Sequence, residues 1–194
     1  MPLHKTKLGE VLKKATFSLE DEHGGPLWIQ HQRGQELDLA ALPINKLPDD
    51  CISYKLPRGD ETCEMAALIG MDAFILGFPK GIAHQQLLPI WKRGSIATEP
   101  QIPHEGLPVF LLDTATREGM SGAPVLLRSY SGYGKADGSS VLGTGPFTRF
   151  IGVYSGRFGA DDELAVQLGR VWHRPLIDEL LSTGVPGAYE LRRK

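Results

Sequence analysis

The 194-residue chain is poor in cysteine: Cys51 and Cys63 are the only two. Two thiols cannot build a disulfide scaffold, and their spacing is not that of a metal-ligand set. Both are expected to serve as small core or surface residues. Excess charge is lacking as well. The formal net charge of −2 provides no field that would gather nucleic acid or an anionic membrane. No apolar run approaches the roughly 18 residues a membrane span needs. The opening Met1-Pro2-Leu3-His4-Lys5-Thr6-Lys7 has no apolar stretch of the secretion-signal kind. Repeats and low-complexity tracts are absent too. The expectation is a soluble, cytoplasmic protein of a reducing compartment, with neither nucleic acid nor membrane as partner.

Turn-formers are abundant. There are 23 glycines and 14 prolines, while aromatics are 8%, a mix that favours many short strands over long helices. Hydrophobic residues at 41% and charged residues at 23% are ordinary for a packed globular chain and exclude disorder. Six β-rich runs bounded by turn residues follow one another: 72–78 (DAFILGF), 90–97 (IWKRGSIA), 108–113 (PVFLLD), 123–128 (APVLLR), 149–155 (RFIGVYS) and 164–171 (LAVQLGRV). Between them lie 77–81, 117–119, the Ser/Gly-rich 129–146 and 156–162. Six antiparallel strands suffice to close a small barrel and remove its sheet edges. Residues 172–181 (WHRPLIDELL) put Leu176, Ile177, Leu180 and Leu181 at helical spacing. Pro175 suits a first turn, and a terminal helix packed on that barrel is the simplest reading. The front yields three strand candidates, 11–19, 26–31 and 37–44, then a polar connection over 45–66.

The strongest local signal is 119–125, Gly-Met-Ser-Gly-Ala-Pro-Val. A nucleophilic serine needs an exposed hydroxyl and backbone N–H groups aimed at the developing oxyanion. Gly119 reaches backbone angles that turn an N–H inward, Gly122 lets neighbouring chain approach, and Pro124 stiffens entry into the next strand. The alternative serine motif, Gly-x-Ser-x-Gly of the α/β-hydrolases, needs a helix after it. Here Ala123 takes the fifth position and a strand follows. A plain Gly-Ser turn is the other reading of the motif taken alone.

Taken with its surroundings, the chain resembles the trypsin-like serine peptidases, in the bacterial and intracellular branch without structural disulfides. The likeness covers nearly all of 25–181. It includes 119–125 as the active-serine motif, 110–113 as the strand leading to it, 72–81 (DAFILGFPKG) as the opening of the second barrel, 90–97 as its next strand, and 150–156 (FIGVYSG) as the strand beside the substrate channel. Residues 28–31 (WIQH) followed by 36–43 (ELDLAALP) are similar to the segment carrying the family's aspartate.

The resemblance implies an all-β fold of two six-stranded antiparallel barrels, the first incomplete and the second complete, plus a C-terminal helix. The implied division is 1–66 for the partial barrel and connection, 67–184 for the second barrel with its helix, and 185–194 as a tail. It implies an endopeptidase acting on peptides or proteins through an acyl-enzyme, without metal or cofactor. Ser121 would be the nucleophile, and Asp38, expected to be buried in its apolar run, would orient the base. Gly119 and Ser121 would be the oxyanion donors. Ala115 and Thr116 would form the base of the primary pocket and Val153, Tyr154, Ser155 and Gly156 one wall, suiting a small or medium apolar side chain.

The family's histidine precedes its aspartate, in a Thr-x-x-His-type setting behind two or more strands. His4, His23 and His31 do not occupy such a setting, and His84, His104 and His173 match no family histidine. The expectation is a missing general base, in a chain beginning after the strand and loop that would carry it. A catalytically inactive peptide-binding module is the alternative. Met120 stands where zymogen-activated relatives carry an aspartate, which argues against activation by N-terminal cleavage. The acidic 161–163 (DDE) reads as a solvated loop rather than a metal site.

Overall fold

At the front of the chain apolar residues come in runs too short for long strands. The computed structural model describes residues 2–4, 10–44, 47, 49, 51, 56, 63–84, 87–115, 118–157 and 167–188. Two compact units divide the chain: Met1–Ser53 with Leu176–Lys194, and Tyr54–Pro175. In the first unit β1 (Pro2–His4) and β2 (Val11–Lys14) form an antiparallel pair. A separate three-stranded sheet is built from two-residue strands, β3 (Ile29–Gln30) and β4 (Ala40–Ala41), and a third supplied by the far end of the chain.

The second unit is the barrel. Its strands are β5 (Asp72–Gly77), β6 (Ile90–Ile96), β7 (Val109–Asp113) and β8 (Pro124–Ser129), then, beyond the hairpin of β9 (Gly132–Gly134) and β10 (Ser140–Leu142), β11 (Phe147–Arg157) and β12 (Leu168–His173). Six of them close in the order β11-β12-β7-β6-β5-β8, every pair antiparallel. Alternation makes this possible: in β5, Ala73, Ile75 and Gly77 are buried while Asp72, Phe74 and Leu76 are less covered. The buried set joins Ile96, Phe110, Leu112, Val125, Leu127, Ile151, Tyr154 and Val171 in one core. The six expected strands are thus present with small shifts at their ends, except that 164–166 lie outside the described residues. The β9–β10 hairpin falls in the stretch expected to be a loop.

The helix and the chain end differ from expectation. Helix α1 (Arg174–Thr183) starts two residues later than expected, because Trp172 and His173 complete β12. Most of it belongs to the first unit and not to the barrel. Leu176 and Leu180, one helical turn apart, are its buried residues. The chain end is also more than a tail: β13 (Val185–Pro186) pairs antiparallel with β3. The sheet order is therefore β13-β3-β4, and no second barrel is evident among the described residues. Short reach explains this outcome, since β3 offers two residues to pair and β13 takes its free edge.

Within the first unit His31 is 2% exposed. Its Nδ1 accepts the Arg33 N–H at 3.1 Å and its Nε2 lies 3.2 Å from a Glu179 carboxylate oxygen on α1. The Gln32 side-chain amide donates to the Thr183 carbonyl at 2.9 Å. Cys51 and Cys63 are free thiols. Among the described residues no helix is long and apolar enough to cross a membrane, and no group of three or more His, Cys, Asp or Glu is placed to hold a metal ion.

Candidate active site

Ser121 sits at the exposed tip of the turn between β7 and β8. Two glycines in left-handed backbone make the turn: Gly119 with φ +86° and Gly122 with φ +83°. At Gly119 the requirement is also one of space. A Cβ there would lie 2.7 Å from the Phe78 carbonyl oxygen, closer than van der Waals contact allows. That carbonyl belongs to the turn after β5, where Lys80 N–H donates to the Glu118 carbonyl at 2.7 Å and fastens the serine loop from behind. Lys80 itself adopts φ +51°, an uncommon backbone for a residue with a side chain. On the other side Gly122 N–H donates to the Tyr154 carbonyl at 2.8 Å, and Tyr154 N–H to the Ala123 carbonyl at 2.9 Å. Met120, fully buried in the barrel core, anchors the loop from below.

Clamped on both flanks, the loop leaves two donors over. Neither the Gly119 nor the Ser121 N–H makes a hydrogen bond among the described residues. The Ser121 hydroxyl donates to the Ser155 carbonyl at 3.4 Å, a long and weak bond. A Cβ on Gly156 would lie 3.7 Å from the same hydroxyl oxygen. The chain is brought there by a bulge: Tyr154 pairs with Val171 and Gly156 with Arg170, so Ser155 is an inserted residue in β11. Bulges of this kind re-aim the backbone next to functional sites.

The barrel therefore brings Ser121, Gly119, Ser155 and Gly156 together. Val153 is half-buried, but the Tyr154 side chain is buried in the core. Tyr154 thus offers only its backbone to the site. Ala115 is exposed just beyond β7, and Thr116 lies outside the described residues, as do 161–163. Asp38 belongs to the first unit and is exposed rather than buried. The 3₁₀ turn Gly34–Glu36 sends Leu37 inward at 2% exposure, and the next residue consequently faces out. The sequence reading missed the part of 78–81, taken there as a separator between strands. Its signal was the Pro79-Lys80-Gly81 turn.

No family model matches the chain, and no curated protein does. Among solved structures it is similar to Rv3671c from M. tuberculosis H37Rv, crystallised as an inactive serine-to-alanine mutant, with a TM-score of 0.37 and 19% identity over 66% of this chain. The match spans 51% of that chain.

Of the histidines on the barrel, His173 is half-buried at the end of β12, its ring edge-on to Phe110 with centroids 5.2 Å apart. Burial pushes its pKa below the usual histidine value, and a hydrogen bond with the Val109 backbone opposes that shift.

Proposed function

We propose that the chain is a trypsin-like serine endopeptidase domain that cleaves peptides or proteins through an acyl-enzyme, with the first barrel incomplete and the general base not visible among its residues. One observation carries this: an exposed serine between two left-handed glycines, with two backbone N–H groups beside it that have no partner among the described residues. In the proposed chemistry the Ser121 oxygen attacks the substrate carbonyl carbon, and the Gly119 and Ser121 N–H groups stabilise the negative oxygen that forms. The base takes the Ser121 proton and passes it to the leaving amine as the intermediate collapses, leaving an ester on Ser121 that water hydrolyses. Asp38 would orient the base. Ala115 and Thr116 with Val153, Ser155, Gly156 and the Tyr154 backbone would receive an apolar substrate side chain.

The alternative, an inactive peptide-binding module, is favoured by one specific contact. The hydrogen-bond partner of the Ser121 hydroxyl is the Ser155 carbonyl and not a base, and a serine hydroxyl without a base is a poor nucleophile. A fluorophosphonate probe separates the two readings, with Ser121→Ala as control. Covalent labelling confined to Ser121 supports the peptidase. Intact Ser121 after prolonged exposure to probe, in folded protein, leaves the binding module.

A further inference from the structure

On the barrel unit a second recess, of about 360 Å³, is lined by three cations, Lys135, Arg149 and Arg174, against two carboxylates, Glu64 and Asp137, with the Cys63 thiol in its wall. No residue of the Ser121 loop takes part in it. The segment entering the barrel forms one side, held by a bridge between Met65 and Lys135 and by the Arg149 guanidinium, which donates to the Met65 carbonyl.

Both carboxylates already have partners. Glu64 forms an ion pair with Lys135, and its hydrogen bond and charge hold the Lys135 pKa above the usual lysine value. Asp137 accepts the Ser139 N–H at 2.9 Å and the Ser139 hydroxyl at 2.6 Å, bonds that keep its pKa below the usual carboxylate value. Arg149 is different. It is half-buried, gives one N–H to a carbonyl, and has no carboxylate within ion-pair distance among the described residues. A guanidinium carries five donors in a planar fork, and a partly desolvated cation without an anion is costly. The fork matches a carboxylate or phosphate edge to edge, and the recess has the volume of a small-molecule site.

We propose that this recess binds a small oxyanionic molecule, a carboxylate or a phosphate, with its anionic head on Arg149. The test is calorimetric titration of citrate and of inorganic phosphate into the full chain at constant ionic strength. Location is read from alkylation of Cys63 by uncharged iodoacetamide in the Cys51→Ser protein. Saturable binding that slows Cys63 alkylation is expected. Arg149→Gln should weaken it about tenfold, the loss of one charge-assisted contact. Glu64→Gln, which releases Lys135, should strengthen it by roughly threefold. Response to citrate alone assigns a carboxylate ligand, and response to phosphate alone a phosphate. Absence of binding by either, or equal affinity in wild type and Arg149→Gln, overturns the proposal. If Arg149→Gln fails to fold, Glu64→Gln decides alone, and an unchanged affinity there overturns it. None of these measurements reads peptide hydrolysis, so the outcome is independent of Ser121.

Discussion

Gly119 and Gly122 have nearly the same φ, +86° and +83°, yet stand in different surroundings. A Cβ at Gly122 meets nothing within 4 Å, whereas one at Gly119 meets the Phe78 carbonyl oxygen at 2.7 Å and the Lys80 nitrogen at 3.2 Å. Alanine at either position incurs left-handed strain of about 1–2 kcal/mol, partly offset by about 0.4–1 kcal/mol from the stiffer unfolded chain. Gly122→Ala should therefore cost about 1 kcal/mol. Gly119→Ala adds displacement of backbone that cannot swing aside, about 1–3 kcal/mol more. Urea titration followed by circular dichroism reads the contrast directly: at a slope of about 2 kcal/mol/M, a further 2 kcal/mol lowers the midpoint by about 1 M. Because both variants share the strain and the unfolded-state effect, their difference isolates the clash. Coincident midpoints would refute the claim that the 78–81 turn braces the serine loop. The same variant should depress fluorophosphonate labelling at Ser121 about 10²-fold or more if the Gly119 N–H serves the oxyanion.

Met120→Ala, at a fully buried site, should cost about 2–5 kcal/mol by cavity formation; a loss under 1 kcal/mol in chemical denaturation would show that the loop does not depend on this anchor. His31→Ala should be far more damaging than Glu179→Gln, which removes a charge from a 57% exposed side chain and should cost less than about 1 kcal/mol; equal losses would mean that the contact with Glu179, and not burial of the ring, holds β3 to α1. The His173 pKa is depressed in the folded protein, so the unfolded chain takes up its proton first. Stability from this group is full above about pH 6.5, the ordinary histidine value, and is lost as pH falls through the folded value. Melting temperatures of His173→Phe should accordingly fall less steeply than wild type below that pH, and parallel curves would count against it.

The barrel was legible because each of its strands is long enough to show alternation, as in Asp72–Gly77, or a continuous apolar run, as in Val109–Asp113. Residues 129–146 were not. Gly132 lies at φ +131° with the Val141 carbonyl oxygen against the place of its Cβ, and a hairpin built on such backbone looks like loop in composition. Two-residue strands such as Ile29–Gln30 and Val185–Pro186 carry no period at all. The serine loop was readable from its glycines, because a left-handed turn dictates residue type. The bulge at Ser155 was not, since any residue can be the inserted one. The burial expected of Asp38 was not legible because an apolar neighbourhood does not say which of two adjacent residues faces inward, and Leu37 took that position.

The pairing of β3 with β13 has a bearing on how the molecule comes into being. Gln32 meets the carbonyl of Thr183, 151 positions further along, and Ile29–Gln30 has Val185–Pro186 as one of its neighbours in the sheet. Closing so wide a loop is entropically slow. On a ribosome, which emits the amino end first, β3 must wait for β13 to emerge before that edge is paired, while the barrel, whose strands end at His173, already has all six of its own. The β3–β13 edge is thus completed only after every barrel strand has emerged.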